Sequence, residues 1–273
     1  MKRHKICKII FAILAVFLCV AFYELIGICV TYKKQPAVSD ATIKETQNIM
    51  SVAGRENTER AVIIEKNSQA LLERVRLIQN AKDEIILSTF AFKSDESGKL
   101  ILGALHDAAD RGVHVRILVD GMESWIDMEG NPYFYGLSSH ENVEIKLYNK
   151  ANPLKPWKTM GRMHDKYLIA DGKIYILGGR NTYNYFLGDF PGHKNFDRDV
   201  LVVCDEPQKD NSVNQLWNYF ETIWEQEDCR YFHNSKKLAD RQSVKKAVLE
   251  LQEGYQQYLS LIHISEPTRL GMI

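Results

Sequence analysis

The chain has 273 residues, 45% hydrophobic and 26% charged, with 35 basic and 35 acidic residues and a formal net charge of zero. That composition excludes a disordered chain and suits one globular domain of ordinary to large size. Zero net charge excludes a global field for gathering nucleic acid or anionic membrane, so any such attraction has to be local.

The N-terminus is basic over residues 1–8, with Lys2, Arg3, Lys5 and Lys8. An apolar stretch follows over residues 9–32, broken mainly by Glu24, and its length suits a bilayer core. A cleaved signal peptide competes with this reading, because Ile9 to Phe22 has the length of such a segment. No clear small-x-small cleavage site stands near Glu24, and the run resumes with LIGICV, so an uncleaved signal anchor is the favoured reading. More cations precede the run than follow it at Lys33 and Lys34, which predicts a single-pass cell-membrane protein with a cytoplasmic N-terminus and an extracytoplasmic body. Five cysteines form no framework. Cys7, Cys19 and Cys29 lie in or beside the apolar segment, and Cys204 and Cys229 either pair or, the favoured reading, are buried small residues.

Residues 33–60 are polar and read as a tether. Ser68 then predicts the cap of a helix with Leu71, Leu72, Val75 and Ile78 on one face. Glu84 to Phe92 reads as a buried strand, and Ser97 to Asp110 as an amphipathic helix. Val113, Val115, Ile117 and Val119 alternate as one side of a second strand. The order α, β, α, β predicts an α/β sheet layered with helices. Gly121 to His140, with Trp125, Tyr133, Phe134 and Tyr135, reads as an aromatic loop, either packed on the surface or walling a substrate entrance or membrane contact. Asn142 to Tyr148 is another strand. Lys146, Lys150, Lys155, Lys158, Arg162 and Lys166 follow with Asp165 as the only acid, either a solvated face or a local attraction for anionic phosphate.

The stretch from His164 to Asn181 has the form H-x-K-x4-D-x6-G-G-x-N. If Met163 to Ala170 is a strand, His164 and Lys166 point to the same side. Asp171-Gly172 marks a tight turn, and a two-residue turn there brings Gly179 or Asn181 opposite His164. A base or nucleophile, a fixed cation, an amide and a glycine backbone then meet at one end of a hairpin, a set suited to phosphate. Six fixed residue types at fixed spacing arise by chance on the order of once in ten million start positions. Asn181 to Asn195 reads as an active-site loop and Arg198 to Cys204 as a strand. Asn211 to Trp224 reads as a helix with a core-packing stripe.

The motif resembles the HKD signature of the phospholipase D superfamily, and its GGRN ending is similar to cardiolipin synthase-like members. LILGALHDAADRGVHVRILVDG before the motif and FDRDVLV after it are similar to that family, and the resemblance covers roughly Ala61 to Glu225. It implies a phospholipase D-like α/β/α domain with a mixed sheet, here a half-domain over residues 61–235, preceded by one transmembrane helix. It also implies catalysis without a metal or cofactor. His164 would be nucleophile or acid/base partner, Lys166 a phosphate binder and Asp171 an orienting or structural residue in the catalytic set, its side chain pointing off the His164 face. Asn181 would contact phosphate, while Gly178 and Gly179 would allow close backbone approach.

A helical linker is expected over residues 236–258, with Val248, Leu251, Tyr255 and Tyr258 on one side. Residues 259–273 leave that pattern and resemble a translated sequencing adapter, which would make the chain a fragment of a two-motif protein. One motif is half of a site, so the expected partner is a second motif, in a missing C-terminal half or in a homodimer. The leading expectation is a phosphatidyltransferase acting on phosphatidylglycerol-like lipid at a membrane. A phospholipase D-type hydrolase, a single-motif dimeric nuclease and a non-catalytic module are the alternatives, and nucleic acid is not the expected partner.

Overall fold

The computed structural model describes residues 2–33, 39–44, 59–150, 152, 154–158, 160–204, 211–233 and 235–265. The chain divides into two compact units. One comprises residues 1–57 with 151–162, and the other residues 58–150 with 163–273.

The first unit is built on α1 (Lys2–Lys33). Lys5–Val30 is a 26-residue run of mean hydropathy 2.7, long and apolar enough to cross a membrane. A short 3-10 turn, Pro156–Lys158, packs on this helix. The expected tether falls largely on residues 34–38 and 45–58, outside the described residues, and its last two positions belong to a strand.

The second unit is an eight-stranded mixed sheet with helices on both faces, as the α, β, α, β order predicts. Its strands are β1 (Glu59–Ile64), β2 (Glu84–Thr89), β3 (His114–Asp120), β4 (Val143–Tyr148), β5 (Lys166–Ala170), β6 (Ile174–Gly178), β7 (Asp199–Cys204) and β8 (Cys229–Tyr231). They lie in the order β1-β7-β6-β5-β2-β3-β4-β8. The pairs β2·β3 and β3·β4 are parallel and the others antiparallel. The parallel strands are sandwiched. In β3, Val115, Ile117 and Val119 enter the larger core, while Leu118 enters the smaller one on the other face. The larger core takes Leu71, Val75 and Ile78 of α2 (Asn67–Asn80) and Ile101 and Leu105 of α3 (Glu96–Asp110). The smaller core takes Val213, Phe220 and Trp224 of the helix Ser212–Trp224, so the apolar stripe read from the sequence is core packing. Cys204 and Cys229 are free and buried there too.

Four expectations change. The cap of α2 is Lys66, with no side-chain capping bond, and Ser68 lies inside the helix. The aromatic loop is two short helices, α4 (Gly121–Asp127) and α5 (Pro132–Ser138). Asp120 caps α4 by accepting from the amides of Met122 and Glu123. Asn131 caps α5, which starts with Pro132, a favoured first helical residue. Phe134 and Tyr135 of α5 are buried in the core, whereas Trp125 is exposed.

In the basic run, Lys146 is buried. Its Nζ donates to the carbonyl of Trp224 at 3.0 Å and lies 4.5 Å from that indole ring, so it serves packing and not a solvated approach. Finally, with α6 (Ser212–Trp224) and α7 (Lys236–Ala239) counted, the last helix is α8 (Gln242–Ser265). It is packed domain structure: a Cβ at Gly103 of α3 would sit 2.7 Å from the Leu251 carbonyl. The expected break at residue 259 does not occur, because Leu259 and Ile262 continue the spacing of Tyr255 and Tyr258 against the larger core. Residues 266–273 lie outside the described residues.

Candidate active site

The motif folds as the β5–β6 hairpin, with Tyr167 opposite Leu177 and Ala170 opposite Ile174. Its loop is Asp171-Gly172-Lys173, one residue longer than expected. Asp171 and Gly172 both have positive φ, 52° and 59°. Asp is one of the residue types that enter that conformation most readily. Asp171 accepts from the amides of Lys82, Asp83 and Glu84, with a shortest distance of 2.8 Å to Asp83. The carboxylate thus clips the hairpin tip to the start of β2. It stands at the end of β5 away from Lys166, about 16 Å along the strand by its rise per residue.

The other end carries the chemistry. β5 begins at Lys166, two residues later than His164, so His164 leaves the sheet and its side chain is exposed. The preceding segment is pinned. The amide of Met163 donates to Asp120 Oδ2 at 3.2 Å, and its sulfur accepts from Ser88 Oγ at 3.5 Å. β5 pairs with β2 such that Lys166 faces Thr89, which brings Phe90 alongside the motif. The His164 ring meets Phe90 edge-on with centroids 4.7 Å apart, and Lys166 Nζ lies 5.4 Å from the same ring. Lys166 Nζ also donates to the His164 carbonyl at 2.6 Å. The side chain of Lys166 is buried, only 4% of the residue remaining exposed. Burial pulls its pKa below the ordinary lysine value, against the opposing pull of Asp165 and Asp197.

Asn181 joins from the far strand of the hairpin. Its Oδ1 accepts from the Ala91 amide at 3.2 Å, next to Phe90. The amide of Thr182 donates to the Ala91 carbonyl, and its hydroxyl donates to Thr89 Oγ1 at 3.2 Å. His164, Lys166 and Asn181 are therefore gathered around the end of β2. Asp171 is not among them. Gly178 and Gly179 are needed for close packing within the chain. A Cβ at Gly178 would strike the Asp199 carboxylate and the Arg198 carbonyl, 2.5 Å away. One at Gly179 would strike the Asp197 carboxylate, its Cγ 2.5 Å away.

Several residues of this region escape a reading of the motif alone. Arg180 is fully buried. It donates to Asn67 Oδ1 at 3.1 Å and to the carbonyls of Ile64 and Glu65 at 3.2 and 2.7 Å. Asp199 Oδ2 lies 3.3 Å from Arg180 Nη1 and accepts from Arg74 Nη1 at 2.9 Å. Two guanidiniums thus share one buried carboxylate behind the glycines. Asp165, between His164 and Lys166, accepts from the Tyr219 hydroxyl of α6 at 2.9 Å. Burial first, and that bond second, push the Tyr219 pKa up to about 12. The repeated acids of FDRD were a signal for Asp197 and Asp199, but nothing local marked Phe90 or Asp120 as neighbours of the motif.

Among the described residues, no group of three or more His, Cys, Asp or Glu side chains is arranged to hold a metal ion. The arrangement offers instead an accessible imidazole, a fixed ammonium beneath it and an amide beside it. That set can attack or protonate an oxyanion ester and offset its charge.

Residues 75–224 match the family described as cardiolipin synthase, PLD-like domain. A Helicobacter pylori protein of unassigned function is 33% identical over 181 residues, which is 61% of this chain and 35% of that protein. Cardiolipin synthase C of Escherichia coli is 29% identical over 154 residues, 51% of this chain and 31% of the synthase. The chain thus spans about a third of the length of these relatives. Among solved structures, phosphatidylserine synthase from Haemophilus influenzae superposes with a TM-score of 0.54 at 16% identity, covering 78% of this chain and 47% of that one, a likeness of fold. Because the family match extends over more than half of the chain, this protein belongs to the phospholipase D superfamily, within the cardiolipin synthase PLD-like domain family.

Proposed function

We propose that the chain is a membrane-anchored phosphatidyltransferase of the cardiolipin synthase kind, with His164 and Lys166 at its reacting centre. The observation that carries this reading is the exposed His164 imidazole standing with the buried Lys166 ammonium on one Phe90 wall. A phosphodiester repels nucleophiles through its negative charge. Lys166 offsets that charge in a site partly shielded from water, where the effect is strongest. Asn181 contributes a second polar contact, and Asp171 acts on the hairpin's shape and not on substrate.

In the proposed reaction, the imidazole nitrogen of His164 bonds to phosphorus of phosphatidylglycerol. The bond from phosphorus to the glycerol oxygen breaks, and the leaving glycerol takes a proton from a general acid. A hydroxyl of a second phosphatidylglycerol then gives its proton to that group and bonds to phosphorus as the phosphorus–nitrogen bond breaks. The product is cardiolipin. One imidazole cannot attack phosphorus and protonate the leaving group in the same step, so a separate general acid is required, and the family resemblance implies a second histidine in that role. It comes from a second motif, in another copy of the chain or in a further half of the protein, and His164 can fill either role. The candidate span Lys5–Val30 and the similarity to cardiolipin synthases favour a lipid substrate over a nucleic acid.

Membranes from cells producing the protein, supplied with labelled phosphatidylglycerol, test this reading. Label is expected in cardiolipin. Label in phosphatidic acid alone would make the protein a hydrolase, and cleavage of DNA with neither lipid product would make it a nuclease.

A further inference from the structure

The loop that leads into the motif packs on the membrane-crossing candidate, in the first unit. Gly27 is the buried position of α1 at this contact. A Cβ there would lie 2.6 Å from Pro156 Cγ and 3.1 Å from the Trp157 amide nitrogen. One turn earlier on the same helical face, the Tyr23 hydroxyl donates to the Leu154 carbonyl at 3.1 Å. The helix therefore receives the loop through a residue with no side chain and holds it with a phenol.

The depth of that contact follows from the helix. Lys5–Val30 has 26 residues. At 1.5 Å per residue it is about 39 Å long, against a hydrocarbon core of about 30 Å. With the excess shared between both ends, Gly27 falls at the boundary between hydrocarbon and headgroups. The loop's own side chains match it. Leu154, Trp157 and Met160 are 79%, 44% and 47% exposed, although all three are apolar. Lys155 and Arg162 are exposed and Lys158 half-buried between them. Apolar and cationic side chains interleaved in this way suit an interface where acyl chains meet phosphate.

We propose that residues 154–162 are a lipid-docking loop, held by Gly27 of α1 at the bilayer boundary. Leu154, Trp157 and Met160 enter the interface, and Lys155, Lys158 and Arg162 meet anionic headgroup phosphates. This deepens the proposed function and rests on its membrane anchor, since a chain without a spanning helix would not set the loop at that depth. The motif begins two residues after Arg162 in the sequence. The loop therefore gathers anionic lipid next to the chain segment that carries His164.

The test uses the full chain in proteoliposomes of phosphatidylcholine and phosphatidylglycerol, with bromine on the acyl chains of either lipid. Tryptophan emission is compared with that of Trp157→Phe, and the difference isolates Trp157. Bromolipid is expected to quench this difference signal by at least half, more strongly when the bromine is on phosphatidylglycerol. Gly27→Leu keeps the span apolar but displaces Pro156, and it is expected to abolish most of the quenching. If alkaline carbonate extracts the wild-type chain, the anchor is wrong and the loop proposal falls with it. If the chain stays in the membrane but Trp157 is quenched only by an aqueous quencher, the loop proposal alone is overturned. Equal bromolipid quenching in wild type and Gly27→Leu would overturn the role of the α1 contact.

Discussion

Lys166 Nζ donates to the main-chain carbonyl of His164 at 2.6 Å, so the cation of the motif fixes the backbone of its histidine. The same ammonium is buried at 4% exposure, with its pKa depressed by that burial. Since the folded pKa is below the unfolded one, this group opposes folding while charged. The penalty is present at neutral pH and falls away as pH rises through the depressed value toward 10.5. Lys166→Met removes that penalty together with the bond to the His164 carbonyl, so the melting temperature should not fall, while transfer should drop at least about 100-fold. Thermal unfolding and a transfer assay on the same preparation check both. A second expectation is that the alkaline limb of the activity profile lies below 10.5, where free lysine would place it.

Asp171 provides the contrasting case. Its carboxylate accepts from three amides at the start of β2, at the far end of β5 from His164. Asp171→Ala is expected to cost about 1.5–3 kcal/mol of stability, the range for hydrogen bonds to a charged group. Activity per folded molecule should be retained. Urea unfolding together with the specific activity of the folded fraction separates these effects.

The two motif glycines should behave differently. At Gly178 an added Cβ meets the Arg198 backbone carbonyl at 2.5 Å as well as Asp199, so Gly178→Ala forces strand β7 away and destabilises the fold. At Gly179 the obstacle is the end of the Asp197 side chain, which can rotate away. Gly179→Ala should leave the melting temperature within about 2 °C of wild type, with its main effect on transfer. Paired melting curves check the ranking.

Asp199 is the single carboxylate shared by Arg74 and Arg180 in the buried set. Asp199→Asn keeps the shape but leaves two guanidiniums without their counter-charge. A loss of about 3–5 kcal/mol is expected from breaking a buried pair. Replacing Arg74 by Met in the same chain should recover part of that loss, and a double-mutant cycle by chemical denaturation measures the coupling.

The alternation of Val115, Ile117 and Val119 was legible because a strand's period of two is local, and each of these side chains does face the larger core. Asp171-Gly172 announced a turn for the same reason. The length of that turn did not follow, because the three-residue loop is held by amides of residues 82–84, far away in sequence. The helices of residues 121–138 were hidden by their aromatic content, although Asp120 and Asn131-Pro132 carried capping signals. Lys146 read as a surface cation because nothing near it in sequence announces the Trp224 carbonyl and indole that receive it. Arg180 illustrates the same limit. Its burial depends on Asn67, Asp199 and two carbonyls of residues 64 and 65, which only the folded sheet unites.

The central claim is that His164 is a reacting group in phosphatidyl transfer, and its most direct test is His164→Ala at the chromosomal gene, read in isolated membranes. Wild-type membranes given phosphatidylglycerol labelled at phosphorus should form labelled cardiolipin. The His164→Ala membranes should lose this activity by at least about 100-fold, with the protein present at unchanged abundance. Cardiolipin formed at an undiminished rate by the His164→Ala protein, in cells whose other cardiolipin synthases have been deleted, would contradict the account.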